Sequence, residues 1–476
     1  MKYLFSIIAF SIIGFSTLKA QNALPPKRVV FWLHGLGGDD GAWTRASTAT
    51  TFGAPSFPQR PIYSVQLGYS NQQYGLNEAA NYLVPFIESN ALTAKNVYNI
   101  DRSQNFMIAH SQGGLVGRSL DRLYTVAPGF LRNINGLVTF GTPHQGARIL
   151  NNVGAFPEFV DVACTSLMSG PINEAVTQNF WISLIITDKV VKKVLDPLCY
   201  SLSVASPLFF SQFNTPISKE FEVNAPVLNA LNAFPSNIHK VAFYGIEDQN
   251  TAVWRVLYNV LKSKPNDFPA FGADDDSELL NKAIENTLKY QAKVNSWTTT
   301  FNNNPPCEWW SWITGTTFCL NSSHLREVAR RNRDAWQEGV NWWLSANDRF
   351  RLITGAKSYS SLTTTGYECN CDEYDYDGQV ILNSWTTEVT DPNDCRGNTW
   401  LQSCNLGNQT SVTTWSENNN PSDGVVLKES AENFPGCQFT AAMPGSNHQQ
   451  MRNDSNTRER LKELFNGSYD SYFITQ

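Results

Sequence analysis

The sequence predicts an α/β fold built on one mostly parallel central sheet. Three observations carry that expectation. Short apolar runs alternate with amphipathic helical stretches, the rhythm of a parallel sheet covered on both faces. Successive apolar runs end in glycine-rich turns. One such turn, in the segment NFMIAHSQGGLVGR (105–118), sets a serine between a short strand and a helix.

The elements follow in order. Arg28–Leu33 (RVVFWL) reads as a buried strand ending in His34-Gly35-Leu36-Gly37-Gly38. Asp39–Arg45 reads as loop and helix start, Pro61–Leu67 as a second strand, and Leu76–Ser89 as an amphipathic helix. Phe106–Ala109 is the third strand, and Leu115, Val116 and Leu120 continue from Ser111 at helical spacing. Ile134–Phe140 is a fourth strand, ending in Gly141-Thr142-Pro143-His144-Gln145-Gly146. His239–Tyr244 is a fifth, Phe439–Met443 a short last strand, and Thr457–Phe465 a closing helix.

Two stretches interrupt this rhythm, and neither is bounded by a linker, so residues 21–476 read as one domain with insertions. Residues 147–234 are apolar and helical in pattern, with dense runs at Trp181–Ile186 and Pro207–Phe210. They leave the sheet beside the serine, so they form either a mobile lid over it or a static helical layer. Residues 248–410 are Cys- and Trp-rich, with expected helices at Ser277–Trp297 and His324–Leu344. Between those helices lies the cluster Trp309, Trp310 and Trp312, and an acidic, aromatic tract, Glu368–Asp377, closes the insertion.

Met1–Ala20 reads as a secretory signal peptide: Lys2, an apolar run from Tyr3 to Phe15, then a small residue at Ala20. That run is shorter than the ~20 residues a bilayer needs, and no later apolar stretch reaches that length. A secreted protein with no transmembrane segment is expected. The chain carries −6 from 36 basic and 42 acidic residues, and loss of Lys2 and Lys19 takes it to −8. Without a basic patch, nucleic acid is excluded as a partner. Nine cysteines in an exported chain imply disulfides. Proximity pairs Cys307 with Cys319, Cys395 with Cys404 and Cys164 with Cys199, leaving Cys369, Cys371 and Cys437 unassigned. Cys369 and Cys371 are too close for a zinc knuckle.

A serine alcohol is a weak nucleophile until a base takes its proton. Ser111 sits in A-x-S-x-G, with Ala109 where the usual strand-turn-helix pattern has glycine. The glycines after the first strand let backbone N–H groups face a substrate oxygen, and the N–H groups of Leu36 and Gln112 are the expected oxyanion donors. Of six histidines, only His448 follows the last strand and precedes the last helix, where the order Ser, acid, His puts the base. The acid is Asp423, in Pro421-Ser422-Asp423-Gly424, with Asp248 at the end of the fifth strand as rival.

With these residues in place, the chain resembles the secreted bacterial lipases and esterases of the α/β-hydrolase fold. The resemblance rests on VVFWLHGLGG, NFMIAHSQGGLVGR, LVTFGTPHQGA, SDGVVLKES and GSNHQQM. It implies Asp423 as triad acid and His448 as base. Those lipases often carry a calcium-binding Asp two residues after the catalytic histidine. Gln450 stands there in this chain, and Ser384 breaks the half EF-hand pattern that starts at Glu373, so no metal and no cofactor is assigned. The expected activity is hydrolysis of carboxylic esters, acylglycerols or related apolar esters, including at a lipid–water interface. An acyltransferase or a polyester depolymerase on the same triad remains open. So does a non-catalytic surface-binding protein that uses the tryptophan-rich insertion.

Overall fold

The computed structural model describes residues 25–50, 62–70, 74–127, 129–156, 170, 173–174, 213–248, 271–272, 278–306 and 316–475. The expected signal peptide (Met1–Ala20), Trp181–Ile186, Pro207–Phe210 and the tryptophans at 309, 310 and 312 lie outside the described residues.

Six parallel strands form the central sheet: β1 (Val29–Leu33), β2 (Tyr63–Leu67), β3 (Phe106–His110), β4 (Gly136–Phe140), β5 (His239–Ile246) and, last in sequence, β9 (Phe439–Pro444). Their order is β2-β1-β3-β4-β5-β9. All five pairings are parallel, so all six carboxyl ends share one edge. Chain order reverses between β1 and β3, and ligands of open parallel sheets bind outside such a switch point.

Strand alternation splits the core in two. Phe31, Leu33, Met107, Ala109 and Leu137 face one side, against the helices Leu76–Tyr98 and Gln112–Val126. Val30, Trp32, Ile108, Val138, Phe140 and Phe243 face the other, against Leu461, Leu464 and Phe465 of the helix Ser455–Phe465. Both faces are covered, which is why β1, β3 and β4 read as continuous apolar runs. In the Leu76–Tyr98 helix, Leu76, Ala79, Ala80, Leu83, Val84, Ile87, Ala91 and Ala94 form the buried stripe. Asn99, at φ 55°, caps that helix in the left-handed conformation, and its last residue, Tyr98, lies nine residues beyond the expected stop at Ser89.

The insertion after β5 differs from its expected form. Its helices are longer, Glu278–Asn303 and Thr316–Thr354, and they pack through Tyr290 against Trp336. His324 therefore lies inside a helix and does not begin one. A second, antiparallel sheet follows, with strands β6 (Lys357–Tyr374), β7 (Ile381–Val389) and β8 (Gln402–Asn419) in the order β7-β6-β8. It absorbs the acidic, aromatic tract and runs past Thr410. Two disulfides staple it, Cys369–Cys395 and Cys371–Cys404. This corrects the pairing of Cys395 with Cys404: β6 lies between the two segments and supplies a partner to each. Cys437 is a free thiol. Cys164, Cys199 and Cys307 lie outside the described residues, as does the side chain of Cys319.

Candidate active site

Ser111 stands at the tip of β3, at φ 54° and ψ −130°, as the N-cap of the helix that starts at Gln112. Non-glycine residues avoid that region, and holding one there costs on the order of 1–3 kcal/mol. The neighbours enforce it. The Ser111 N–H donates to Phe140 O at 2.8 Å, bridging to the end of β4. A Cβ on Gly113 would collide with the His34 carbonyl, and one on Gly114 with the Thr142 hydroxyl. One built on Gly35 would lie 2.8 Å from Ser111 Cβ. The glycines are there because the end of β1, the serine turn and the end of β4 meet in one place.

The structure brings Ser111, His448 and Asp423 together across 337 residues of chain. Ser111 Oγ lies 2.8 Å from His448 Nε2, and His448 Nδ1 lies 2.7 Å from Asp423 Oδ2. With the ring proton on Nδ1, the imidazole donates to the carboxylate and accepts from the serine hydroxyl. The other carboxylate oxygen, Oδ1, accepts from Val425 N–H at 3.0 Å and Val426 N–H at 2.7 Å. That fixes its orientation. Backbone bonds bind the two loops as well: His448 N–H to Asp423 O at 2.8 Å, and Glu247 N–H to Ser422 O at 2.7 Å. Gly141, at φ 58°, faces the pair, and a Cβ there would meet Asp423 Oδ2 at 2.9 Å and His448 Nδ1 at 3.2 Å. Ser111, His448 and Asp423 are all buried.

The rival acid, Asp248, is exposed, one residue past Glu247, and its N–H donates to Glu247 Oε1. His110, His144 and His239 have structural partners. His110 Nε2 donates to the His448 carbonyl at 2.6 Å, and its ring lies against that of His448. Burial first, then the nearby His448 and Arg452, hold His110 well below the ordinary histidine range. His144 bonds Thr139 and stacks on Phe434, and burial, then Arg118 and Lys240, push it down in the same way. His239 pairs with Asp470 at 2.8 Å, at the opposite end of β5.

Leu36 borders the same cavity as Ser111 and His448, and the loop closes on itself through Gly38 N–H to Gly35 O. One support escaped the sequence reading. Tyr69, just past β2, donates its hydroxyl to His34 O at 3.1 Å and accepts from the Gln112 side chain at 3.2 Å. It thus ties together the two segments whose N–H groups are the expected oxyanion donors. The signal was its place on the carboxyl edge, in Leu67-Gly68-Tyr69. Apolar side chains wall the cavity, including Pro143, Ile149, Leu150, Phe213 and Val425. Such a lining suits an uncharged chain with its polar end at Ser111.

This sheet order, with a serine turn after β3 and the His and Asp loops at β9 and beyond β5, defines the chain as an α/β-hydrolase. The sequence model of the palmitoyl protein thioesterase family matches residues 28–233, a stretch with the Ser111 turn and the His34 loop but neither Asp423 nor His448. No curated protein matches the chain by sequence. Among solved structures it is similar to phospholipase PlaB from Legionella pneumophila, at 12% identity and TM-score 0.27, over 50% of this chain and 40% of that one. This chain thus spans well under half of PlaB. It is similar to the mature Bacillus licheniformis lipase BlEst2 at 10% identity and TM-score 0.27, over 52% and 77% of the two chains. The RedJ thioesterase of the prodiginine pathway of Streptomyces coelicolor follows, at 15% identity and TM-score 0.24, over 48% and 72%.

Proposed function

We propose that the chain is a secreted serine hydrolase that cleaves esters of apolar acyl groups through an acyl-enzyme. The observation that carries this reading is the unbroken set of bonds Ser111–His448–Asp423 at the mouth of an apolar cavity. Ser111 Oγ attacks the acyl carbonyl while His448 Nε2 takes its proton. Asp423 holds the imidazole in the tautomer that can accept. The N–H groups of Leu36 and Gln112 face the developing oxyanion; one such donor is worth about 10²–10³ in rate. His448 then returns the proton to the departing group. Water, deprotonated by the same imidazole, attacks the acyl-Ser111 ester and releases the acid. Every step uses this chain's own residues and needs no cofactor.

The family match over residues 28–233 favours a second leaving group, a thiolate. The chemistry at Ser111 is the same for either, so paired substrates separate them. Labelling by a fluorophosphonate probe tests the nucleophile and separates an enzyme from a surface-binding protein. Hydrolysis of acyl-matched p-nitrophenyl esters and thioesters of rising chain length then ranks the substrates. Faster turnover of every thioester than of its matched ester would move the assignment to a thioesterase. No labelling of Ser111 would sink the hydrolase reading.

A further inference from the structure

The sheet β7-β6-β8 plays no part in this chemistry, yet it carries the two most exposed large apolar side chains among the described residues. Tyr376 is 81% and Trp400 is 75% exposed. Both sit at the far end of the sheet, Tyr376 in the turn between β6 and β7 and Trp400 just before β8. Their rings pack edge to face with centroids 5.6 Å apart. Val380, Ile381 and Leu382 beside them are also exposed. Three consecutive exposed apolar residues are unusual unless they meet something. Along the rest of the sheet, hydroxyl ladders such as Ser360–Ser416 and Thr363–Thr413 are interspersed with single exposed apolar side chains such as Leu362 and Trp415.

We infer that this far end is a docking tip for a lipid surface with choline-type zwitterionic headgroups. Charge selects that occupant. From Glu368 to Trp400 the chain has eight carboxylates and one cation, Arg396. An anionic bilayer would be repelled. A second copy would set two acidic tips against each other, a like-charge contact that disfavours association. The outermost charge of a choline headgroup is a quaternary ammonium. It is attracted to carboxylates, and indole and phenol faces are its preferred partners. Val380, Ile381 and Leu382 then have the headgroup–acyl boundary to enter. The disulfides Cys369–Cys395 and Cys371–Cys404 hold the tip in shape before it docks, so little ordering opposes binding.

The root of the sheet lies next to the catalytic acid. Asn420 N–H donates to Ala356 O at 2.8 Å, closing β6 against β8 three residues before Asp423. Strands of 18 residues extend about 60 Å at ~3.3 Å per residue. Docking would hold Ser111 within that reach of the surface without touching the cavity. Binding needs no turnover, so it stands or falls apart from the hydrolase reading.

The test is co-sedimentation of the full chain, disulfides intact, with phosphatidylcholine or phosphatidylglycerol vesicles. The wild type should bind phosphatidylcholine more tightly, and Trp400→Ser with Leu382→Ser should weaken that binding at least ~10-fold. Its hydrolysis of a soluble short-chain ester should be unchanged, which also reports that the variant is folded. In addition, brominated phosphatidylcholine should quench a component of tryptophan emission that Trp400→Phe lacks. Equal binding by the double variant, preference for phosphatidylglycerol, or quenching unaltered in Trp400→Phe would overturn the inference. So would a wild-type dimer that ignores vesicles and dissociates in the double variant, since the tip would then belong to self-association. Vesicle binding without ester turnover would remove the hydrolase and leave the tip in place.

Discussion

At Ser111 the backbone, the side chain and the neighbours all bear on a single atom, its Oγ. Ser111→Ala should leave the fold intact and lower ester hydrolysis by at least ~10³, since triad members act as a unit. Turnover at the wild-type rate in that variant would end the serine mechanism. Asp423→Asn should lose about 10⁴ in kcat by removing the group that sets the imidazole tautomer. Asp248→Asn should lose little, because Asp248 is exposed and the His448 Nδ1 partner is Asp423. The reverse ranking would move the acid to the end of β5. The buried histidines set a pH dependence of stability. Burial lowers His34 and holds His110 and His144 well below the ordinary value, so the folded chain keeps them neutral. The unfolded chain takes up protons near pH 6.5. Stability should therefore be full above that pH. It should fall as pH drops below it, by up to ~1.4 kcal/mol per pH unit for each histidine until the folded-state value is reached. Melting temperatures between pH 8 and pH 5 would show this, and His144→Asn should flatten the curve; a Tm constant over that range would refute it. That Ser111, His448 and Asp423 meet was legible in the sequence, because each is bound to a position in chain order. Tyr69 was not, since its place past the second strand puts it on the carboxyl edge but does not show what its hydroxyl reaches.

At the scale of elements, the six parallel strands were legible because each is apolar and bounded by turn residues. The second sheet was not. Its strands alternate Ser, Thr, Asn and Glu with few apolar partners, so neither face carries the period-two signal that a half-buried strand shows. β-branched residues and cross-strand hydroxyl pairs shape it, and those become visible only once partners are known. The proximity pairing of Cys395 with Cys404 failed for the same reason, because β6 was not seen between them. Each disulfide closes a loop of about thirty residues, 26 and 33 apart in sequence, and should stabilise the sheet by ~3 kcal/mol. Reduction should open this sheet to protease while hydrolysis of a soluble ester continues; parallel loss of both would show that sheet and site unfold together. In the serine turn, Gly113→Ala drives a methyl group against the His34 carbonyl. It should cost at least ~10-fold in kcat by displacing the loop that faces the oxyanion, with circular dichroism unchanged. Wild-type kcat in that variant would mean the loop has room to yield.

At the scale of the whole molecule, the chemistry is divided between two parts of the chain. Ser111, the proposed nucleophile, and the loop proposed to face the oxyanion belong to β3 and β1, which pair with near neighbours in sequence. Asp423 and His448, the proposed acid and base, arrive only after the helical pair and the second sheet, when β9 adds to β5 from about two hundred residues downstream. The chain can therefore form most of its central sheet while having no base and no acid. Contacts between distant segments form slowly, because chain entropy must be lost before they give any return. After dilution from denaturant, protection of the β1, β3 and β4 backbone amides from hydrogen exchange should precede the return of ester hydrolysis, with a measurable lag between them. The order of the strands thus acts as a clock: the serine waits on an edge that is already built, and becomes reactive only when the far end of the chain comes home.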